Sequence, residues 1–227
     1  MSLGDPIRRS ILRDAIGIGV ATGAYGVSFG AISVTGGLSL LQTSALSLLM
    51  FTGASQFAMV SLIGGGGSPI AGAATAVLLG TRNAFYGLRL SRVIGGPGRR
   101  RGLGAQFVID ETTAMAVAAD SDAAARLAFW ATAVSVFTLW NLGTILGAVG
   151  AQSIPDPKTL GLDAAAPAAF LALLAPRMTR RHLWAVSLGA ALVALASVPL
   201  VPAGVPVLLA AFVTVVAALR LEGRGKG

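Results

Sequence analysis

The sequence predicts an all-α, polytopic helical bundle in a lipid bilayer, one domain over residues 1–227 with about seven transmembrane segments. Three observations point there. From Ala15 to Thr81 there is no Asp, Glu, Lys, Arg or His. A soluble surface needs charges over such a length. Hydrophobic residues make up 55% of the chain and charged residues 11%, against about 25% charged in soluble domains. The apolar runs are continuous and rich in Ala, Leu and Gly, unlike the alternating strands of a membrane barrel. Backbone groups in lipid must then bond within their own segment, which leaves the helix.

Apolar segments are predicted at 15–37, 41–64, 68–90, 126–150, 162–176, 182–201 and 204–221, with a shorter one at 105–119 that holds Asp110 and Glu111. Breakers separate them: Gly36-Gly37, Gly64 to Gly67 with Ser68-Pro69, Gly95 to Gly98, Pro155-Asp156-Pro157, and the prolines 199, 202 and 206. Residues 1–14 are basic and lead into a long apolar run, which reads as an uncleaved first helix.

The net charge of +8 sits in short clusters between apolar segments: Arg8, Arg9, Arg13; Arg89, Arg92, Arg99 to Arg101; Arg177, Arg180, Arg181; Arg220, Arg224, Lys226. Cytoplasmic loops look like this. A nucleic-acid partner is not expected, because no aromatic residues interleave the basic ones. No cysteine and a single histidine exclude a disulfide, thiolate or histidine-cluster metal site, and no cofactor is expected. Topology is in conflict. The positive-inside rule puts both the N-terminus and the Arg99 loop in the cytoplasm, and three crossings between 15 and 90 cannot satisfy both. The richer Arg99 loop decides, so the first helix is expected to start outside. The alternative is that the second segment does not fully cross, since Gly53-Ala54-Ser55-Gln56 is a weak helix interior.

A candidate inverted repeat relates Gly26 to Gly30 with Gly143 to Gly147, each followed by a small-residue stretch ending in Phe, Gly53 to Phe57 and Ala168 to Phe170. Inverted repeats place transporter sites at their interface. The competing reading is ordinary Gly-xxx-Gly helix packing.

Polar residues within lipid are costly and point to function. Gly53, Ser55 and Gln56 suit a helix break whose free N–H groups receive a carboxylate, or plain interhelical hydrogen bonding. Arg82 and Tyr86 share a helix face, with Asn83 beside Arg82. Arg82 suits a carboxylate clamp or a buried ion pair, or else it snorkels to the interface. Asp110 and Glu111 are candidates for carrying a coupling proton; the other reading is acids in water or paired with arginine. Gln106, Asp110 and Thr113 form one polar stripe if the segment is helical. Asn141, beside Trp140, is a further cavity candidate. Asp163 reads as a helix cap and His182 as interfacial. No nucleophile–base pair or ATP-binding loop is found, so an enzyme is not expected.

Taken in order, Gly26-Val27-Ser28-Phe29-Gly30, Phe51 to Phe57, Arg82 to Leu88, Asp110-Glu111-Thr112, Trp140 to Gly143 and Gly161-Leu162-Asp163 resemble the AzlC family over about residues 15–203. The resemblance implies a secondary transporter of the inner (cytoplasmic) membrane that exports branched-chain and similar apolar amino acids, with a small membrane subunit of the AzlD type as partner. Two departures stand out. Asn83 replaces a histidine common in relatives, and Ala165-Ala166-Pro167 lacks an aromatic residue. A passive solute channel and a non-transporting scaffold are the alternatives.

Overall fold

The computed structural model describes residues 4–95, 98–153, 178–201 and 205–224. These residues are helical throughout, with no strand among them: α1 (Asp5–Thr35), α2 (Leu40–Leu49), α3 (Ala54–Gly64), α4 (Pro69–Ile94), α5 (Gly98–Gln106), α6 (Asp110–Val117), α7 (Asp122–Gln152), α8 (Arg181–Ser197) and α9 (Val205–Arg224). Local chemistry sets several boundaries. Pro6 occupies the first turn of α1, and α1 ends before Gly36 and Gly37, the latter at φ 99°. Ser68 and Ser121 cap α4 and α7, their hydroxyls accepting the N–H of Ala71 (3.1 Å) and Ala124 (3.3 Å).

The frame is the pair α1 and α7, each 31 residues long and apolar enough to cross a bilayer. They touch backbone to backbone. A Cβ on Gly26 would stand 2.6 Å from the Trp140 carbonyl, and one on Gly30 or Gly147 would strike the backbone of Thr144 or Val27. This is the small-residue packing that lets membrane helices approach closely. Contacts pair Gly19 with Ser135, Gly23 with Leu139 and Gly30 with Thr144, so the two helices run parallel. That corrects the repeat expected from Gly26–Gly30 and Gly143–Gly147. These two helices are neighbours of the same sense, and their glycines serve packing.

The 41–64 segment is two short helices, not one. α2 descends from the C-terminal end of α1 and breaks at residues 50–53. α3 then returns, bringing Gly64 against Gly36. Along α2 and α3, Ser47 reaches Asn141, Phe51 meets Phe137, and Phe57 packs edge-on against both Phe29 and Trp140. The pair is therefore a re-entrant hairpin whose tip lies midway along α1 and α7. α4 runs antiparallel to α3, with Gly72 beside Met59 and Gly80 beside Ser55, and ends where Gly95 faces Arg126 of α7.

Residues 98–117 form a second hairpin from the opposite end. α5 rises to Phe107, which meets Phe51 and Phe137, and α6 descends to a cavity that its C-terminal end shares with Ile7, Ser10 and Asp14 of α1. The expectation that the first helix starts opposite the Arg99 loop is thereby overturned. Only α1 and α4 run the full length between the two basic clusters, so the N-terminus and the Arg89–Arg101 cluster share one end. The weak interior at Gly53–Gln56 is where the chain turns back. α8 and α9 pack on each other, and α9 touches α4. The 162–176 segment, Asp163, Ala165 to Pro167 and the Ala168–Phe170 part of the expected repeat lie outside the described residues.

Candidate functional site

Both hairpin tips close on one aromatic centre. Phe51, Phe107 and Phe137 have ring centroids 6.3, 5.1 and 5.4 Å apart in their three pairings. Phe51 from the first tip and Ile109 from the second are buried in one cluster with Phe29, Phe57, Val136 and Trp140. Trp140 stacks on Phe29 at 5.7 Å, and its indole nitrogen is buried without a hydrogen-bond partner among the described residues.

The first tip holds three of the predicted residues. Gly53 precedes α3 at φ 62° and ψ −92°, a conformation that glycine adopts readily and other residues only with strain. No Cβ clash is present there, so the demand is conformational. Gln56 is fully buried. Its Oε1 accepts the Gly53 N–H at 3.0 Å and its Nε2 donates to the Leu46 carbonyl at 3.0 Å. Gln56 thus ties the two broken ends of the hairpin together, a structural part beside the substrate contact expected from the sequence. Ser55 is different. It is buried, one residue before Gln56, and its hydroxyl has no partner among the described residues. The first three N–H groups of α3 have no intrahelical acceptor, and no side chain caps them. The positive end of the helix dipole and the Ser55 hydroxyl therefore sit together at the tip.

The second tip is acidic. Thr112 accepts the Ile109 N–H at 3.1 Å and donates to the Phe107 carbonyl at 2.6 Å, which fixes the start of α6. Asp110 and Glu111 occupy the first turn of α6, where the dipole favours negative charge. An Arg82 Nη of α4 meets Asp110 Oδ2 at 3.0 Å, with both side chains about three-quarters buried. Arg82 Nε and Asn83 Oδ1 are shielded from solvent and lack a partner among the described residues. Tyr86, one turn on, packs against the cluster of Leu90, Val108, Ala116 and Phe129. Arg82 is thus held in an ion pair inside the fold.

Gly80, beside the Ser55 hydroxyl, and Arg82, on Asp110, lie within one turn of α4. One turn of one helix therefore serves both tips. Asn141 stands apart from this turn. Its Oδ1 accepts from Ser47 at 2.7 Å and its Nδ2 donates to the Phe137 carbonyl at 2.7 Å, so its polar groups fasten α2 to α7. Among the described residues no group of three His, Asp or Glu could hold a metal ion.

Sequence reasoning missed Ser47 and Thr144, and met Thr112 only within the Asp110-Glu111-Thr112 motif. Each is a small hydroxyl residue among apolar neighbours, and only the fold separates these from the many serines and threonines that bond their own helix. Gln106 belongs to the polar stripe expected of a single helix, which the break between α5 and α6 interrupts. Its Nε2 in fact crosses to the Leu48 and Leu49 carbonyls at 2.9 and 3.2 Å, capping α2 from the other hairpin.

Comparison with known proteins gives one result. The family model described as AzlC protein matches residues 17–154, which hold both hairpins, α4 and α7. No curated protein and no solved structure matches the chain.

Proposed function

Because the chain belongs to the AzlC family, whose model matches residues 17–154, and is an all-helical membrane protein, we propose that it is a secondary transporter exporting branched-chain and similar apolar amino acids. It works with a small AzlD-type membrane subunit in the inner (cytoplasmic) membrane. The observation that carries this reading is the pairing of two half-helix starts of opposite character around residues 80–82 of α4. The start of α3 is uncharged, rich in free N–H groups and equipped with the Ser55 hydroxyl, which suits a carboxylate. The start of α6 carries Asp110 and Glu111, which suit an ammonium group. A zwitterion bridges them with its side chain against Phe51, Phe107 and Phe137.

Coupling follows from the ion pair. When Asp110 is ionised it holds Arg82. A proton on Asp110 releases the guanidinium to help hold the substrate carboxylate while Glu111 holds the ammonium, and its loss restores the pair. Glu111 is the second candidate for this proton. Asn83 and Tyr86, on the same stretch of α4 as Arg82, are the remaining substrate-binding candidates there. The aromatic closure at the tips argues against an open channel, since a pore must stay passable through the middle of the molecule.

The test is flux of radiolabelled valine in proteoliposomes containing the chain and its small partner. Asp110→Asn is expected to abolish valine flux driven by a proton gradient. Ser55→Ala is expected to raise KM about tenfold, the loss of roughly 1.4 kcal/mol of binding. Flux that is unaffected by both changes removes the site. Flux that neither saturates nor responds to pH favours a channel, and absence of flux in a folded complex favours a scaffold.

A further inference from the structure

The sequence of arm, tip, arm and long helix occurs twice in the fold. α2, α3 and α4 make one copy, and α5, α6 and α7 the other. The tips agree in sequence. Phe51 and Phe107, Ala58 and Ala114, and Met59 and Met115 are identical pairs 56 positions apart, and Gln56 and Thr112 are a fourth pair at the same spacing. They agree in chemistry as well. Gln56 and Thr112 each offer a side-chain oxygen to the N–H three residues earlier, that of Gly53 at 3.0 Å and that of Ile109 at 3.1 Å. Each long helix opens on a serine cap, Ser68 or Ser121. Met59 packs beside Gly72 of α4, and Met115 shares a cavity with Ala124 and Ala128 of α7. The copies enter from opposite ends, and Phe51 meets its own counterpart Phe107. Equivalent residues in contact mark the position of a two-fold axis.

We infer that residues 40–94 and 98–152 are an inverted repeat whose two hairpins are separate gates, one for each end of the molecule. The gating role rests on the transport reading above; the repeat does not. The ties that hold the tips cross from one copy to the other. Ser47 of the first hairpin donates to Asn141 (2.7 Å) and Thr144 (3.2 Å) of α7. Asp110 of the second hairpin pairs with Arg82 of α4 (3.0 Å). Gln106 joins the two hairpins directly. Ser47, Thr144 and Gln106 are therefore positioning residues at the interface between copies, where inverted-repeat transporters move. The first gate is held by neutral hydroxyl and amide groups, the second by an ion pair. With both fastened, the structure is an occluded form. Opening the first exposes the tips to the end at Gly36 and Gly64, and opening the second exposes them to the basic end.

The natural absence of cysteine makes the experiment direct. Single cysteines are placed at Ser39, Ser68, Arg99 and Asp120 in the chain co-expressed with its partner and labelled with a membrane-impermeant maleimide. Ser39→Cys and Ser68→Cys should react from one face of the membrane, and Arg99→Cys and Asp120→Cys from the other. Any other pattern overturns the inverted repeat. Ser55→Cys then reports the gates. Adding Ser47→Ala should raise its labelling from the Ser39 face about tenfold and leave the other face unchanged, and Ser47→Thr should restore the parent rate. Adding Arg82→Gln should raise labelling from the Arg99 face only. No change with either variant, or a change on the wrong face, overturns the gates. Neither arm reads transport, so a protein that moves no valine would refute the proposed substrate while both parts of this inference are still decided.

Discussion

Replacing Gln56 by methionine separates a structural tie from a substrate ligand. Methionine keeps about the same volume, so no cavity opens in the buried site. The Gly53 N–H loses its acceptor at 3.0 Å in a partly buried position. Leaving such a group unsatisfied costs about 1–2 kcal/mol. The Leu46 carbonyl loses Gln56 Nε2 but keeps the Met50 N–H at 3.0 Å, so that side costs only the net of one hydrogen bond, about 1 kcal/mol. The sum is about 2–3 kcal/mol, and a chain of this size loses roughly 2–4 °C of Tm per kcal/mol. Gln56→Met is thus expected to lower Tm by about 4–12 °C, read by thermal unfolding of the detergent-solubilised complex with fluorescence-detected size exclusion. Valine binding to the fraction that stays folded should survive. An unchanged Tm together with lost valine binding would refute the reasoning and return Gln56 to the substrate.

Four further outcomes follow from the same geometry. Gly147→Ala should sharply reduce the yield of folded protein, because its methyl meets the Val27 backbone; Gly150→Ala, with open space around it, should leave yield unchanged, and size-exclusion profiles compare them. Gly53→Ala should lower stability by about 1–3 kcal/mol through backbone strain alone, measured as the shift in Tm. Ser55→Ala should leave Tm within about 1 °C, since its hydroxyl bonds nothing among the described residues, while weakening valine binding in a titration. Arg82→Gln should be less stable than the double change Arg82→Gln with Asp110→Asn, because the single change leaves a carboxylate that is about three-quarters buried without its guanidinium; a Tm series checks the order.

Helix content and the apolar segments were legible because they depend on local composition. The uncharged run to Thr81 and the Ser68-Pro69 break before α4 needed no tertiary information. The break at Gly53 was legible too, as a glycine followed by small polar residues in an apolar segment. The direction of the chain after the break was not. A continuing helix and a returning one have the same composition, and only the contact of Gly64 with Gly36 tells them apart. That contact also resolves the charge conflict, since a hairpin adds no crossing between the two basic clusters. The glycines of α1 and α7 announced close packing, but parallel and antiparallel packing need the same glycines. Arg82, Asp110 and Ser55 were found as polar residues in apolar segments. Gln56 and Asn141 carried the same signal for a different reason, because a broken helix leaves carbonyls and N–H groups that some amide must satisfy.

The claim on which the account rests is that the two tips jointly hold one zwitterion. Isothermal titration of the purified complex with valine, valine amide and isovalerate measures this most directly. Valine should bind, while the amide, lacking the carboxylate, and isovalerate, lacking the ammonium, should each bind at least tenfold more weakly. Ser55→Ala should weaken valine but leave the amide unchanged, and Glu111→Gln should weaken valine but leave isovalerate unchanged. Equal affinity for all three ligands, or an equal response of all three to both substitutions, would contradict the account.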